Sequence, residues 1–458
     1  SEWKEIDGKI ENPISHLVSQ SHDFEIVSET GDVNKNSGEW HELTVSRPYI
    51  FHGSIGPAAA VAKWENERLT VWTHSQGVFQ LRDALAGVFE TAEENITVIH
   101  KAGSGCYGHN GADDAALDAA ILAREVEGIP VKVVWSRYDE FHAAPMGAAM
   151  STKSRAHLDQ DGYITAFDVE VTSVPHSSRP GTGGTPNLRS AVLIKNSKLP
   201  AKSPDVPAMR GGGAERNAVP SYDFGPVRVK KRLVHDLPFR ASALRSLGAY
   251  NNVIVNEGLI DEIAHRNGED PLAFRIKHCV DDRSKELLLR LDSETKRYKE
   301  NLKESQGWGV GYARYKGISG LCAVFVNVTV DEGVVVDNVV SVSDVGEAIS
   351  PDGVKNQIEG GIVQSISWTL KEAVKTDGLS TTVDSWFDYP IIKFSEIPSL
   401  NTILIERPSE KPLGAAEISQ GPAGAAVSNA VRHALGVRIT ELPITREAII
   451  NSLLSNEI

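Results

Sequence analysis

A chain of 458 residues, 41% hydrophobic and 24% charged, has room for two or three domains with sizeable cores and the composition of an ordinary globular protein. Its formal net charge of −14 argues against a general nucleic-acid binder, which needs a basic face. Cys106, Cys279 and Cys322 are odd in number and far apart, so they make neither a disulfide framework nor a metal-cluster spacing, and no apolar run approaches the roughly 18 residues of a membrane span.

The first residues show no basic segment followed by an apolar one, so a cytoplasmic location is expected ahead of a periplasmic one. Residues 1–42 are polar and weakly periodic and read as a linker or the tail of a missing N-terminal domain. Residues 59–64 and 68–72 read as strands around the turn Glu65-Asn66-Glu67. A short amphipathic helix over 80–89 and a β-branched strand over 96–99 follow. After a glycine-rich loop, residues 113–124 form a helix whose acidic first turn suits the helix dipole. Strands are predicted over 131–135 and 163–174. Residues 175–222 hold Pro/Gly/Ser clusters, including Arg210-Gly-Gly-Gly213, and irregular stretches of that length tend to be functional or disordered. Residues 251–267 have helical spacing, and Asp270-Pro271 starts a further helix as N-cap and first residue. Residues 283–305 are charged and helical, a boundary between halves. Beyond it come strands over 322–330, 334–342 and 402–406, and helices over 353–374 and 422–435. Strands and helices without strict alternation indicate an α+β fold.

The loop Lys101-Ala-Gly-Ser-Gly-Cys-Tyr-Gly-His-Asn-Gly111 lies between a strand and a helix, where backbone N–H groups can cradle an anionic cofactor. Gly103, Gly105 and Gly108 fit the dinucleotide fingerprint, and Asp139 lies just past the next strand, as an NAD-binding dehydrogenase would require. Against that reading, the preceding strands look antiparallel, and Tyr107 and His109-Asn110 crowd the turn.

Four separated segments bear on the choice. The first is Trp72-Thr-His-Ser-Gln-Gly77, and the second is the glycine loop with Gly105, Cys106, Tyr107 and Gly108. The third is Phe239-Arg-Ala-Ser-Ala-Leu-Arg-Ser-Leu-Gly-Ala-Tyr250. The fourth joins Asn356-Gln-Ile-Glu-Gly-Gly-Ile-Val-Gln364 with Lys411-Pro-Leu-Gly-Ala-Ala-Glu417 and the Ala/Gly-rich run from Gly421. Together they resemble the molybdopterin-binding part of the large subunit of the molybdenum hydroxylases, the xanthine dehydrogenase and aldehyde oxidase family, in its nicotinate-dehydrogenase-like branch. The resemblance runs from about residue 43 to about residue 450. It implies two α+β molybdopterin-binding domains, over 43–285 and 307–458, with 286–306 connecting them.

The resemblance also implies roles. Glu417 takes the place of the catalytic general base, Gln76 that of a glutamine beside the metal's ligands, and Arg245 that of a guanidinium holding negative charge on the substrate. Gly105, Cys106, Tyr107, Gly108, Gln357, Gly360, Gly361, Gln364, Gly414, Ala415 and Ala416, with Gln76 and Arg245, would contact the cofactor. That cofactor is molybdopterin with molybdenum, including its cytosine dinucleotide form, and no protein side chain ligates the metal. The reaction implied is hydroxylation of an electron-poor carbon of an N-heteroaromatic compound or aldehyde with oxygen from water. The sequence holds no iron–sulfur or haem motif, so partner chains are expected to carry [2Fe-2S] clusters and FAD or haem. A further chain is expected to supply the missing N-terminal part of the large subunit. Two departures stand out: Gly56 replaces the family's glutamate in His52-Gly-Ser-Ile-Gly-Pro57, and Gly414-Ala-Ala-Glu417 replaces Gly-Val-Gly-Glu. The rival readings are a non-catalytic cofactor-binding or assembly paralogue and the NAD dehydrogenase.

Overall fold

The computed structural model describes residues 10, 12–20, 23–35, 38–193, 202–237, 239–378 and 380–456, which form three main sheets. Helix α1 (Pro13–Ser19) and strands β1 (Glu25–Thr30) and β2 (Trp40–Arg47) come first. Next come β3 (Ala59–Glu65), β4 (Arg68–Thr73), α2 (Val78–Phe89), β5 (Ile96–His100), α3 (Ala112–Arg124) and β6 (Val131–Val134). Their sheet has the order β5-β4-β3-β6. The β3–β4 hairpin closes as its sequence predicts, with Asn66 and Glu67 both at positive φ (51° and 63°), which matches the twist of the strands. Helix α4 (Arg137–Ala143) leads to β7 (Met150–Leu158), β8 (Ile164–Ser173) and β9 (Val227–Leu233), which with β1 and β2 make the sheet β1-β9-β8-β7-β2.

Two expectations about organisation change. Part of the segment expected as linker or tail is built into the body, although residues 1–9 lie outside the described residues. Asn12 caps α1 by accepting from the N–H groups of Ile14 and Ser15, Leu17 is fully buried, and β1 pairs with β9 along the sheet edge. The 286–306 connector also takes another form. Helices α5 (Ala249–Arg266), α6 (Pro271–Lys277) and α7 (Asp282–Lys299) run in succession, and most of the expected connector is the body of α7. Its Leu287, Leu288 and Leu291 are buried against the third sheet, so this charged helix is amphipathic and structural.

The third sheet comprises β10 (Gln306–Arg314), β11 (Leu321–Val330), β12 (Val334–Asp344) and β13 (Ser399–Leu404), in that order. Helix α8 (Pro351–Leu370) crosses between β12 and β13, and α9 (Gln420–Leu435) and α10 (Arg446–Asn456) complete the chain. Strand β11 is apolar along nearly its whole length because both faces are covered, by α7 on one side and α9 on the other. Strand β10 carries Gly307, Gly309 and Gly311, and a Cβ at any of them would lie 2.2–2.3 Å from a backbone oxygen of α9. Helix and strand therefore meet backbone to backbone. Helix α9 also packs on α5, and one hydrophobic core runs from Val45 and Tyr250 through Val324 to Ala423 and Ile449. The halves share a core and do not form separate ones. No helix among the described residues is long and apolar enough to cross a membrane.

A segment after α8 clasps the first half. Thr381 donates to Phe141 O (3.2 Å), His142 meets Asp384 (2.8 Å), and the Arg137 guanidinium lies 4.6 Å from the Trp386 ring centroid. The Phe51 N–H donates to the Tyr389 hydroxyl (3.0 Å), whose own proton goes to the buried Glu372 carboxyl (2.8 Å). Burial pushes the Glu372 carboxyl up from 4.5 to about 7, against the hydrogen bonds from Ser367 and Tyr389. A folded-state value above the unfolded one stabilises fully below about pH 4.5 and is lost as pH rises through about 7. Glu372→Gln, which never ionises, is therefore expected to gain on the wild type by about 2–3 kcal/mol between pH 4.5 and pH 8. Denaturant unfolding of both proteins at the two pH values measures it, and parallel pH dependences would exclude the effect.

Candidate active site

A cavity of about 600 Å³ opens between the halves, and residues from all four sequence segments line it. The first wall starts at the end of β4. Gln76 lies exposed on a turn held by Ser75, whose hydroxyl accepts from the Gly77 N–H (3.1 Å) and donates to Asp113. Asp113 also meets the His109 ring (3.1 Å), so one buried carboxylate at the start of α3 anchors both the Gln76 turn and the glycine loop.

The glycine loop itself alternates in hand, with Gly105 at φ 100°, Tyr107 at 53° and Gly108 at 122°. A Cβ on Gly108 would sit 1.7 Å from Ala243 O, so no side chain fits there. The closeness comes from two backbone bonds that join the loop to the third segment. His109 N–H donates to Ala243 O (2.9 Å), and Arg245 N–H donates to Tyr107 O (2.7 Å). Among the described residues, the N–H groups of Gly105, Cys106, Tyr107 and Gly108 have no protein partner. The Cys106 thiol donates to His74 O (2.9 Å); burial, with Asp113 acting in the same direction, pushes it up to about 11 and keeps it protonated.

Arg245 crosses the cavity to the second half. Its Nε donates to Ala416 O (2.8 Å) and its Nη2 to Gln357 O (2.8 Å) and Oε1 (3.0 Å), which leaves Nη1 without a protein partner among the described residues. Burial pushes its guanidinium down, and the Glu417 carboxylate opposes that. Glu417 is half-buried and held at both oxygens, Oε1 accepting from Ser246 N–H and Oε2 from the Tyr315 hydroxyl, each at 2.9 Å.

Helix α8 divides its predicted residues between two directions. Gln357 and Gly360 line the cavity, and the nearest neighbour to a Cβ on Gly360 would be Arg245 Nη1 at 3.8 Å. Gly361 instead faces the start of α9, where a Cβ would meet Ser419 Oγ at 2.2 Å. Gly105, Gly361, Gln364, Gly414 and Ala415 do not line the cavity, whereas Gln76, Cys106, Tyr107, Gly108, Arg245, Gln357, Gly360, Ala416 and Glu417 do. Gln364 is set further along α8 with its Oε1 buried and unpartnered, and Gly414 is exposed at φ 82°.

The sequence reading missed Arg179 and Asn356 among the lining residues, and Tyr315 behind them. Arg179 falls in the irregular 175–222 stretch, whose length was the only signal. The dinucleotide reading fails on geometry. Strand β3 runs antiparallel to both β4 and β6, and Asp139 is consumed by the capping box of α4, accepting from Ser136 N–H (2.8 Å) and Oγ (2.7 Å).

Among the described residues the cavity is lined by amides, guanidinium groups and free loop N–H groups, with Glu417 its one carboxylate. That donor set suits an anionic organic cofactor carrying its own metal, and not a bare ion held by protein ligands. Residues 19–181 and 285–398 each match a family model described as a molybdopterin cofactor-binding domain. One of the two subunits named for the nicotinate dehydrogenase of Pseudomonas putida is 33% identical over 98% of this chain. The chain belongs to the molybdenum hydroxylase family. It spans 38% of that relative's length and 48% of the beta chain of isoquinoline 1-oxidoreductase from Brevundimonas diminuta, which is 25% identical over 86% of this chain. Two solved structures share the α+β fold. Quinoline 2-oxidoreductase from Pseudomonas putida has a TM-score of 0.75 at 16% identity, covering 94% of this chain and 79% of that one. Aldehyde oxidoreductase from Desulfovibrio gigas has a TM-score of 0.76 at 14% identity, covering 94% and 63%. Arg245, Ala416 and Glu417 lie outside both matched spans, so their place in this molybdenum hydroxylase site rests on the cavity geometry.

Proposed function

We propose that this chain is the molybdopterin-binding catalytic portion of an oxidoreductase that hydroxylates an electron-poor ring carbon of an N-heteroaromatic compound. The observation that carries the reading is the convergence of Gln76, the free N–H groups of the glycine loop, Arg245, Gln357 and Glu417 on one cavity from both halves of the chain. When bound, the molybdenum cofactor supplies the oxidising equivalent and the water-derived oxygen. The N–H groups of residues 105–108 and the Gln76 amide hold its polar periphery, including the cytosine dinucleotide form. Gly360 leaves room for it, and Gln357 orients Arg245. Glu417 receives the proton that the attacking oxygen gives up, and Arg245 Nη1 faces negative charge developing on the substrate ring. Electrons leave through [2Fe-2S] clusters and a flavin or haem on partner chains.

Arg179 supports a substrate bearing an anionic group. It lines the same cavity, its Nε is buried with no partner, and no ion pair forms on it among the described residues. Burial and then Arg216 push its guanidinium down, and Glu417 opposes them. A pyridine or quinoline carboxylate would place its carboxylate there.

The holoenzyme purified with its partner chains should contain molybdenum and a pterin and transfer ¹⁸O from labelled water to the product. Arg179→Met should raise KM for the ring carboxylate by about 10- to 100-fold and leave the neutral ring amide unaffected. A holoenzyme without molybdenum would refute the function, and equal losses on both substrates would refute the role of Arg179.

A further inference from the structure

The Glu417 carboxylate is the end of a hydrogen-bond chain that the sequence did not reveal. Tyr315 follows β10 directly and is buried, its hydroxyl donating to Glu417 Oε2 (2.9 Å). Arg216 is buried behind it, and its Nη1 donates to the same hydroxyl (2.8 Å). A guanidinium has donors only, so the Tyr315 oxygen must accept from Arg216. The phenol then has a single proton to give, and Glu417 is the only acceptor it reaches among the described residues.

Arg216 is itself held from the far side. Its Nε donates to Gly211 O (3.1 Å) and its Nη2 to Gly212 O (2.6 Å) and Arg210 O (3.3 Å). The Arg210-Gly-Gly-Gly213 run is thereby explained. Gly211 and Gly212, at φ 88° and 70°, turn the backbone so that consecutive carbonyls face one guanidinium. Gly213 abuts the Asp205 carboxylate, which would lie within 2.3 Å of a Cβ there and which accepts from the N–H groups of Ala214 (2.7 Å) and His176 (2.8 Å). No carboxylate pairs with Arg216 directly among the described residues; the nearest charge balance runs through the Tyr315 hydroxyl to Glu417.

We infer that Arg216 and Tyr315 are positioning residues that fix Glu417, through a one-way hydrogen-bond chain, as a carboxylate with its remaining lone pairs turned to the cavity. Ser246 N–H fixes the other oxygen, so neither side-chain rotation nor a shared proton can take the base out of place. Burial, and then the Glu417 charge, push the Tyr315 phenol well above its usual range, so the chain does not lose its proton at working pH. This inference rests on the reading of Glu417 as the base.

The test uses the holoenzyme with Tyr315→Phe, a change that fits the same volume, together with Arg216→Lys and the double variant. Loss of one hydrogen bond to a charged group is expected to lower kcat by about 10- to 100-fold, with KM and molybdenum content unchanged. The double variant should lose no more than the worse single one, because the chain acts as a unit. Crystals of Tyr315→Phe should show the Glu417 carboxylate turned away from Ser246 N–H. Unchanged kcat overturns the inference, as does full additivity or a loss confined to KM or molybdenum content. If Tyr315→Phe does not fold, Arg216→Lys carries the same kcat, KM and crystallographic readouts. A Glu417→Gln holoenzyme with full molybdenum and full turnover would refute the base itself, which is a separate failure.

Discussion

Glu417→Gln is expected to lower kcat of the holoenzyme by about 10²- to 10⁴-fold, the range general-base catalysis contributes. The amide has nearly the carboxylate's shape, and its Oε1 can still accept from Ser246 N–H or from Tyr315, so binding geometry changes little. Its nitrogen cannot take a proton from the attacking oxygen. Molybdenum and pterin content and substrate KM are therefore expected to match the wild type, which separates a lost base from a lost site. Steady-state kinetics with metal analysis on one preparation measures both. Turnover within about threefold of wild type at full molybdenum content would exclude the role, since that is under 1 kcal/mol of barrier. A non-catalytic paralogue predicts that both proteins are inactive while carrying the cofactor.

Arg275→Met is expected to destabilise the fold by about 3–5 kcal/mol, the cost of leaving a buried charge without its partner. Arg275 is fully buried between α6, α5 and β10. Its Nε donates to Glu257 (2.8 Å), its Nη1 approaches Asp261 (3.4 Å), and its other contacts are the carbonyls of Pro271 and Glu257 at 2.9 Å. Glu257 also accepts from the Tyr222 hydroxyl and the Tyr312 N–H, both at 2.9 Å, so it ties three elements together. Burial, opposed chiefly by Arg275, already holds its carboxyl above the ordinary range, and removing the guanidinium strips the main counterweight. Glu257→Gln added to Arg275→Met should recover part of the loss, because no uncompensated charge then remains. Urea unfolding of the three variants reads this directly, and a single variant within about 1 kcal/mol of wild type would mean that Asp261 and Arg438 suffice.

The parts of the fold that read directly from sequence are those whose signal is local. The β3–β4 hairpin needs only two alternating strands and a turn that accepts positive φ at Asn66 and Glu67. Helix α6 needs Asp270, which accepts from the N–H groups of Leu272 (2.8 Å) and Ala273 (2.9 Å), and Pro271 after it. The strands that escaped notice depend on distant partners. Strand β10, with glycine at every second position, has weak strand propensity of its own and exists because α9 lies against it at backbone distance. Strands β7 and β9 carry Arg155, Arg228 and Lys230, which look like solvated positions until the buried Asp168 of β8 is set between them.

The site divides in the same way. The chain's residues alone determined its chemistry: a glycine loop between strand and helix, an amide, a guanidinium and a glutamate in motifs that mark a molybdenum hydroxylase. Spacing along the chain also carried the α+β class. Tertiary structure alone decided which motif residues reach the cavity. Gly360 does, whereas its neighbour Gly361 is spent on the packing of α8 against α9, because adjacent helical residues point about 100° apart. It also brought Arg179, Tyr315 and Arg216 to Glu417 from segments 100 to 240 residues away, with no motif to announce them. A hydrogen bond or a charge acts over a few ångströms in space, and only the folded chain sets which residues fall within that distance.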